Sequence, residues 1–393
     1  MGFVMKSNCR LVLVTNIYAP YREPVWEKLA DRVTSLDVIL IRETESCRLW
    51  QRDIKKKRPS YSLHVLGSKG GYFGQLDSGF YIGGGIRNLL HKITPTNLII
   101  AGYSAGPFIE AMFWAKQKKV PFVQWYESHY LSSHFKWGPV AWLRKLLLRW
   151  SDACVVPGVM SKAYLEVMGI PADKIVIAPN TVNVQKIFFL IKKYFQNTPP
   201  TGKARILFIG QYIYRKRIDL LIEAYKTFDP DLAILRILGH GPLEDHLHKI
   251  AGKHPGIKFL PATHNLEETV HHYMWADIVV MPSDREVWGL VINEALAAGC
   301  YVISSSLAGV TPDLVENAPL DVGKTVNPFN GVLSLANILS ETVDSIESIR
   351  LKRQSIAEWG QKFSPESTVD GLLSAIALSD HKKYNSSNQN IDS

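Results

Sequence analysis

The chain has 393 residues, of which 46% are hydrophobic and 21% charged, an ordinary composition for a soluble globular protein. A chain of 393 residues exceeds what one hydrophobic core usually organises, so we expect two domains. The formal net charge is +9, but no recognised nucleic-acid motif accompanies it, so nucleic acid is not an expected partner. No apolar run approaches the ~18 residues that predict a membrane span.

The first half of the chain alternates short apolar runs with helix-like segments. The predicted strands are residues 10–16, 36–41, 61–66, 97–102, 121–126, 153–158 and 174–179. Strands that alternate with helices favour a parallel sheet covered by helices on both faces. The first half is therefore predicted to form one α/β domain.

The same pattern restarts after QNTPPTGK, residues 196–203, whose Pro, Gly and polar residues predict a linker. The strands predicted beyond it are residues 204–210, 232–239, 257–261, 277–282 and 301–305. We therefore predict an α/β protein of two Rossmann-like, doubly wound domains that face each other across a cleft. The predicted segments are a first domain (1–195), the linker (196–203), a second domain (204–365), a C-terminal helix that crosses back to the first domain (366–380) and a disordered polar tail (381–393).

Residues 284–299, DREVWGLVINEALAAG, place two glutamates in an otherwise apolar strand–helix–strand unit. Gly289 at the predicted helix start lets an anion approach unpaired N–H groups and the positive end of the helix dipole. A diphosphate there would leave Glu286 near the group that the diphosphate carries. Glu294, inside the helix, would accept hydrogen bonds from a vicinal diol such as a ribose. Two glutamates alone would fit an ordinary surface as well.

The loop in GQYIYRKRIDLLIEAY, residues 210–225, follows the first strand of the second half and carries Arg215 and Lys216. Cations at this position can neutralise a phosphoryl leaving group as charge develops on it. Taken alone, a basic loop without a ligand, helped by Arg217, is an equal alternative. Together with Glu286 and Glu294, the two cations predict a sugar-nucleotide site.

These motifs, with LGHGPL at residues 238–243, resemble the retaining glycosyltransferases of family 4, which carry an E-x7-E motif and the GT-B fold. The resemblance covers nearly the whole chain and implies sugar transfer from a nucleotide diphosphate with retention of anomeric configuration. It implies that Glu286 contacts the donor sugar, that Glu294 contacts the ribose, and that Arg215 and Lys216 hold the diphosphate. It also implies that Gly289, Leu290 and Val291 contact the phosphates, and we place Gly210 in the same donor site.

The opening segment 14–30 and QWYESH, residues 124–129, resemble a bacterial subgroup of the same family. The candidates for contact with the acceptor are therefore Tyr21, Arg22, Glu127 and His129, although His129 fits a plain loop residue equally well. The expected partners are a nucleotide sugar and a glycan or lipid-linked acceptor in cell-surface polysaccharide or glycolipid synthesis.

A DPD motif at residues 229–231 matches the metal-binding Asp-x-Asp pattern of other glycosyltransferases. Pro230 and the strand that follows predict a turn there instead. We expect no metal and no cofactor, because Arg215, Lys216 and a helix terminus already offset the phosphate charge.

GYSAG at residues 102–106 matches the G-x-S-x-G elbow that exposes a nucleophilic serine, here Ser104. No histidine or aspartate stands out as its partner, and this reading leaves the second half of the chain unexplained. Two alternatives to the transferase remain: a catalytically inactive sugar-nucleotide-binding protein of the same fold and a serine hydrolase that uses Ser104.

WLRKLLLRW, residues 142–150, predicts a short helix with Trp, Leu and cations on different faces, as interfacial helices have. An ordinary packed helix with three exposed cations is an equal alternative. We expect an anionic membrane surface as a further partner, bound electrostatically through Arg144, Lys145 and Arg149.

The predicted location is the cytoplasm, with peripheral binding to the inner face of the membrane. The start of the chain lacks an apolar signal segment and a cleavage site. The cysteines are scattered, which favours free thiols in a reducing compartment: Cys9, Cys47, Cys154 and Cys300.

Overall fold

The computed structural model describes residues 8–43, 60–67, 72–75, 78–81, 85–133, 135–194, 202–263 and 265–388. For residues 72–75, 78–81 and 381–388 it describes the backbone only. The chain divides into two compact units, one of Met1–Pro179 with Pro365–Ser393 and one of Asn180–Ser364.

The first unit alternates strands and helices, as the apolar runs predict. In chain order its elements are β1 (Arg10–Thr15), α1 (Glu23–Ala30), β2 (Ser35–Leu40), β3 (Ser62–Val65), β4 (Tyr72–Gln75), β5 (Ser78–Tyr81), α2 (Ile86–Ile93), β6 (Asn97–Ala101), α3 (Gly106–Lys118), β7 (Phe122–Trp125), α4 (Pro139–Trp150), β8 (Ala153–Val156), α5 (Val159–Val167) and β9 (Ile175–Ile177).

Seven of these strands form one parallel sheet in the order β3-β2-β1-β6-β7-β8-β9. Strands β4 and β5 pair antiparallel as a separate ribbon. The strand order reverses between β1 and β6, and the loops that follow these two strands diverge there. Ligands of doubly wound sheets bind at such a switch point, beyond the carboxyl ends of the strands.

The second unit repeats the pattern. Its elements are α6 (Val184–Tyr194), β10 (Ala204–Ile209), α7 (Ile218–Tyr225), β11 (Ala233–Leu238), α8 (Glu244–Ala251), β12 (Ile257–Leu260), α9 (Leu266–Trp275), β13 (Ile278–Met281), α10 (Leu290–Ala297), β14 (Tyr301–Ser305), β15 (Gly323–Val326), α11 (Gly331–Asp344), α12 (Ile346–Leu351) and α13 (Arg353–Gly360).

The sheet of the second unit is also parallel, in the order β12-β11-β10-β13-β14-β15. Its switch point lies between β10 and β13. The prediction of two Rossmann-like α/β domains is therefore confirmed, and each predicted strand has its counterpart. The prediction missed three strands: β4 and β5 of the separate ribbon, and β15, whose sequence GKTV begins with glycine and contains a single buried residue, Val326.

The last helix, α14 (Pro365–Asn388), belongs to the first unit, where it packs against α1, β7, β8 and β9. Arg32 Nη1 donates to Asp370 Oδ1 at 2.7 Å, and Thr368 Oγ1 donates to the Pro179 carbonyl at 2.5 Å. The helix continues to Asn388, into the segment 381–393 that was predicted to be a disordered tail.

The boundary between the two units differs from the predicted one. Helix α6 packs against α9 and α10 and so belongs to the second unit, whereas the predicted first domain ran to residue 195. Its apolar face is buried against helices that come later in the chain, which no local pattern reveals. Most of the predicted linker, residues 196–201, lies outside the described residues.

Helix α4 also differs from its prediction. Arg144, expected to be an exposed cation, is 2% exposed and is hydrogen-bonded within the first unit. Within the described parts of the chain, no helix has both the length and the apolar character needed to cross a bilayer. Three cysteines are buried free thiols, namely Cys9, Cys154 and Cys300, whereas Cys47 lies outside the described residues.

Candidate functional site

Two loops meet at the switch point of the second sheet. The loop after β10 contains a short 3-10 helix, Tyr214–Lys216, and the loop after β13 carries Glu286. The backbone N–H of Asp284 donates to the carbonyl of Arg215 at 2.9 Å, which joins the two loops. The sequence prediction named these two loops separately, and the sheet order places them side by side.

Glu286 forms ion pairs with both predicted cations. Its carboxylate accepts hydrogen bonds from Lys216 Nζ and, at 3.3 Å, from Arg215 Nη1. Burial by itself would raise the pKa of Glu286, but the charges of Lys216 and Arg215 outweigh it and hold the pKa below its ordinary value. The carboxylate is therefore ionised at neutral pH.

A third loop, after β14, holds the backbone around Glu286. Glu286 forms an isolated parallel bridge with Ala308, and the N–H of Val310 donates to the Trp288 carbonyl at 3.1 Å. Trp288 is buried, and its indole N–H donates to Asn293 Oδ1 at 2.8 Å. These contacts fix the loop on which Glu286 lies.

Gly289 caps the start of α10 in a conformation that few other residues adopt. Its φ is +116°, and a Cβ there would lie 2.8 Å from Met281 Cε. Any side chain would therefore be both strained and crowded. The glycine opens the first turn of α10, where the N–H groups of Leu290 and Val291 have no acceptor within the helix by geometry. Such a terminus favours an anion.

Glu294 lies farther along α10 and is held by a residue that the sequence prediction did not name. Tyr273 Oη donates to Glu294 Oε2 at 2.6 Å. Burial raises the pKa of Glu294 to about 6, and this hydrogen bond partly opposes the rise. Burial likewise raises the pKa of Tyr273 well above its ordinary range, so the phenol stays a donor. Tyr273 lies on α9, and no spacing in the sequence links the two.

The glycines of LGHGPL allow the loops after β10 and β11 to touch. A Cβ at Gly239 would lie 1.9 Å from the carbonyl oxygen of Gly210, a contact no side chain tolerates. The N–H of Tyr212 donates to the His240 carbonyl at 2.8 Å. The predicted donor residue Gly210 thus lies at the base of this loop, and its position depends on the glycine at 239.

In the first unit, the structure brings together three of the four predicted acceptor residues, because the Arg22 guanidinium lies 5.9 Å from the centroid of the Tyr21 ring and also contacts Glu127. Arg22 and Glu127 follow β1 and β7, and Arg22 Nη2 donates to Glu127 Oε1 at 2.7 Å. The Arg22 guanidinium also lies over the Trp125 ring, 4.8 Å from its centroid. Tyr21 precedes Arg22 in the same 3-10 helix, Pro20–Arg22. His129 is fully buried, and its backbone N–H donates to Ser132 Oγ at 2.9 Å.

The serine of the GYSAG motif lies in an exposed turn between β6 and α3. A Cβ at Gly102 would lie 2.3 Å from the Phe108 ring, so packing of this ring accounts for the first glycine of the motif. The motif thus has a structural explanation that requires no nucleophile.

The DPD motif forms a turn, as predicted. Asp229 Oδ1 accepts a hydrogen bond from the N–H of Asp231 at 2.8 Å, and Asp231 pairs with Lys203 at 2.6 Å. The turn precedes β11 and so lies at the sheet edge opposite to Glu286. Among the described residues, no group of three or more His, Cys, Asp or Glu side chains is arranged to hold a metal ion.

Two protein families match this chain, one on each half. The family described as Glycosyl transferases group 1 matches residues 191–363. The family described as Glycosyltransferase Family 4 matches residues 70–186. Together with the two-domain GT-B fold, these matches support a glycosyltransferase of the group 1/family 4 kind.

Individual proteins show the same likeness. The D-inositol 3-phosphate glycosyltransferase of Mycolicibacterium smegmatis is 32% identical over 197 residues, which cover 47% of this chain and 42% of that protein. The similarity thus spans less than half the length of that relative.

Solved structures share the fold over nearly the whole chain. A glycosyltransferase from Rickettsia africae has a TM-score of 0.69 and 15% identity, covering 94% of this chain and 98% of its own. Anabaena HepE in complex with UDP and glucose has a TM-score of 0.67 and 15% identity, covering 93% of this chain and 98% of its own.

Proposed function

We propose that this protein is a retaining glycosyltransferase that moves a hexose-type sugar from a nucleotide diphosphate to an acceptor hydroxyl. The observation that carries the proposal is the ion-paired group of Arg215, Lys216 and Glu286 at the switch point of the second sheet. Two cations with one carboxylate leave a net positive charge beside the start of α10. A diphosphate is the ligand that this charge and helix terminus suit best. The UDP and glucose bound to HepE support a donor of this class.

Arg215, Lys216 and the first N–H groups of α10 bind the donor diphosphate. When the bond between the sugar C1 and the phosphate oxygen breaks, its electron pair stays on the diphosphate. The negative charge grows next to the two cations, which therefore stabilise the transition state more than the bound donor. These groups offset the charge without a metal ion.

The acceptor oxygen attacks C1 from the face that the diphosphate leaves, so the new glycosidic bond keeps the anomeric configuration. The acceptor proton passes to an oxygen of the departing phosphate. Glu286 is ionised and contacts the donor sugar, where its charge is compatible with the positive character that C1 acquires. This order of events uses only the acceptor hydroxyl, groups of the donor and side chains of the described loops.

Glu294 binds the ribose of the donor. Tyr273 occupies one carboxyl oxygen of Glu294, at 2.6 Å, which leaves the other oxygen to accept from a ribose hydroxyl. Tyr273 thereby fixes the orientation of the carboxyl group that binds the ribose diol. The fixed distance along α10 from Gly289 to Glu294 sets the separation between phosphate and ribose.

The first unit binds the acceptor. Arg22 and Glu127 lie at the carboxyl edge of its sheet and present a paired guanidinium and carboxylate, both of which bind sugar hydroxyls well. The acceptor is a glycan or a lipid-linked precursor of cell-surface polysaccharide or glycolipid, and the protein works in the cytoplasm on the inner face of an anionic membrane. The three buried free thiols are compatible with a reducing compartment.

A thermal-shift screen of nucleotide sugars tests the donor site. The correct donor, at a hundredfold excess over its dissociation constant, should stabilise the wild-type protein by about 2.7 kcal/mol. The double variant Arg215→Ala/Lys216→Ala should lose this shift. Lys226→Ala should keep it, because Lys226 pairs with Glu223 on the surface of the same unit. An equal thermal shift in the Arg215→Ala/Lys216→Ala variant and in Lys226→Ala would contradict the proposal that Arg215 and Lys216 bind the diphosphate.

The donor found in the screen then tests the reaction. With a glycan acceptor, NMR of the first product should show the anomeric configuration of the donor, and a chelator should leave the rate unchanged. An inverted product would contradict retention, and a rate abolished by chelation and restored by a divalent cation would contradict metal independence.

A further inference from the structure

Seven apolar side chains before α4 and in its first five residues lie in solvent rather than in the core. Trp137 is 86% exposed and Trp142 is 65% exposed, whereas Trp26 of the same unit is fully buried. The other five are 39–55% exposed. We call the seven residues the aromatic patch: Tyr130, Leu131, Phe135, Trp137, Val140, Trp142 and Leu143. Burying so many large apolar groups against a partner is strongly favourable, and a monomer rarely leaves them in water.

The turn that carries the patch is tied to the core of the first unit. Arg144 donates to Ser133 Oγ at 2.9 Å, to the Phe135 carbonyl at 2.7 Å and to Tyr164 Oη at 2.6 Å. Ser133 and Arg144 are both buried. The buried arginine thus ties Ser133 and the backbone of Phe135 to the core, next to the exposed side chains of Phe135 and Trp137.

The segment that carries the patch has charge of one sign. Residues 128–151 contain no Asp or Glu and four Lys or Arg. Of these cations, Lys136 and Arg149 are exposed, and Lys136 Nζ lies 4.3 Å from the centroid of the Tyr130 ring. Exposed tryptophans and cations on one segment that has no acidic residue match the interfacial region of an anionic bilayer, where indole rings lie at the level of the headgroups.

We infer that the aromatic patch docks the first unit on a lipid bilayer by inserting Trp137 and Trp142 among the headgroups. The inference deepens the membrane association proposed above and does not depend on sugar transfer. It also changes the mode of binding, because Arg144 is buried and cannot face lipid phosphates. Apolar insertion holds the protein, and Lys136 and Arg149 steer it to anionic lipid.

The patch has a consequence for the acceptor. Tyr130 follows Glu127 by three residues, on the segment that leaves the carboxyl end of β7. Docking by the patch therefore brings the edge of the sheet that carries Arg22 and Glu127 close to the headgroup layer. This position suits an acceptor whose lipid anchor stays in the bilayer.

Vesicle flotation tests the inference with the full-length protein. The wild type should float with vesicles of phosphatidylcholine and phosphatidylglycerol, and the bound fraction should persist in about 1 M NaCl, where the Debye length is about 3 Å. Trp137→Ser/Trp142→Ser should bind about tenfold more weakly or worse, because two large apolar groups no longer insert. Lipids brominated in the acyl chain should quench the fluorescence of Trp137 and Trp142 in the wild type. The double variant lacks these two tryptophans, so this part of the quenching should be absent.

The matched control is Phe329→Ser/Leu333→Ser, which removes two apolar side chains that are 70% and 65% exposed on the second unit. This variant should float like the wild type. Circular dichroism and the melting temperature of both variants should match the wild type, since the replaced side chains are exposed.

Three results would overturn the inference. Equal flotation of both double variants would show that another surface binds lipid, and binding lost in about 1 M NaCl would show that charge alone holds the protein. A wild type that does not float, but forms a dimer that Trp137→Ser/Trp142→Ser abolishes, would assign the patch to self-association. Donor turnover measured without vesicles separates these failures from a failure of the proposed enzymatic function.

Discussion

Lys216 and Glu286 lie 70 residues apart in sequence, and their side chains form an ion pair at the carboxyl edge of the second sheet. The pair exists because β10 and β13 are neighbours in that sheet, although two strands separate them along the chain. Both side chains are largely buried, at 12% and 13% exposure. A buried ion pair of this kind has a functional role where a bound ligand competes with one residue of the pair for the other.

Replacement of Lys216 should affect turnover more than donor affinity. On the proposed mechanism, Lys216→Ala removes a cation that faces the growing charge of the leaving diphosphate, so we expect a loss of about a hundred- to a thousandfold in kcat. Glu286→Gln should be severely impaired too, because the carboxylate that faces the donor sugar loses its charge. Steady-state kinetics of nucleoside diphosphate release measure both effects, with Lys226→Ala as the control. Wild-type turnover in both Lys216→Ala and Glu286→Gln would show that the site is elsewhere.

Ser104→Ala should keep wild-type donor turnover, because the GYSAG serine belongs to an exposed turn and has no part in the donor site. The measurement is the same nucleoside diphosphate assay, run beside hydrolysis of an activated ester. A nucleophilic serine would give the reverse pattern: ester hydrolysis that disappears in Ser104→Ala and survives in Lys216→Ala.

Glu294 should make stability depend on pH in a defined direction. Burial raises its pKa from 4.5 to about 6, so between these values the folded protein holds a proton that the unfolded chain has lost. The contribution of the neutral carboxyl is fully present below pH 4.5 and falls as pH rises to about 6. Urea unfolding of wild type and Glu294→Gln, compared at pH 4.5 and at pH 7, measures it. The stability of the wild type relative to Glu294→Gln should be lower at the higher pH. A constant difference would show that the pKa is not raised.

Asp277 should be needed for the stability of the second unit. Its carboxylate accepts hydrogen bonds from Arg205 and Arg350, and the Asp277 and Arg350 side chains are 1% and 2% exposed. Asp277→Ala leaves the buried Arg350 guanidinium with the 72% exposed Glu347 as its remaining ion-pair partner, so we expect a loss of about 3 kcal/mol in the free energy of unfolding. Chemical denaturation measures the loss. Asp231→Ala, which removes an exposed partner of Lys203, should leave the midpoint unchanged. A wild-type midpoint for Asp277→Ala would contradict the structural role.

The residues of the proposed donor site could be named from the sequence because their signals are local. A glycine before a helix, a carboxylate in the preceding loop and two adjacent cations after a strand each mark a strand end in an α/β fold. The acceptor side was less predictable. Arg22 and Glu127 meet, but this contact joins loops 105 residues apart, and the motifs around them have less specific spacing.

Helix α4 shows why a helical pattern does not assign a face. Its sequence contains Trp, Leu and cations in alternation, and nothing in that order distinguishes a buried arginine from an exposed one. Arg144 is buried because Tyr164, on α5, and Ser133, in the preceding turn, supply hydrogen bonds at its position. The side of α4 that packs on the sheet decides which of its side chains are exposed, and the sequence alone does not reveal that side.

The two α/β domains, the order of the predicted strands and the loops of the proposed donor site could be predicted from the sequence, because apolar periodicity and turn residues act over a few neighbouring positions. Three contacts became known from the fold alone: Lys216 reaches Glu286, Tyr273 donates to Glu294, and α14 returns to the first unit. These contacts depend on which strands are neighbours in a sheet and on which helix face is buried. Both are set by the packing of the whole chain, in which residues far apart in sequence bury their apolar surface together.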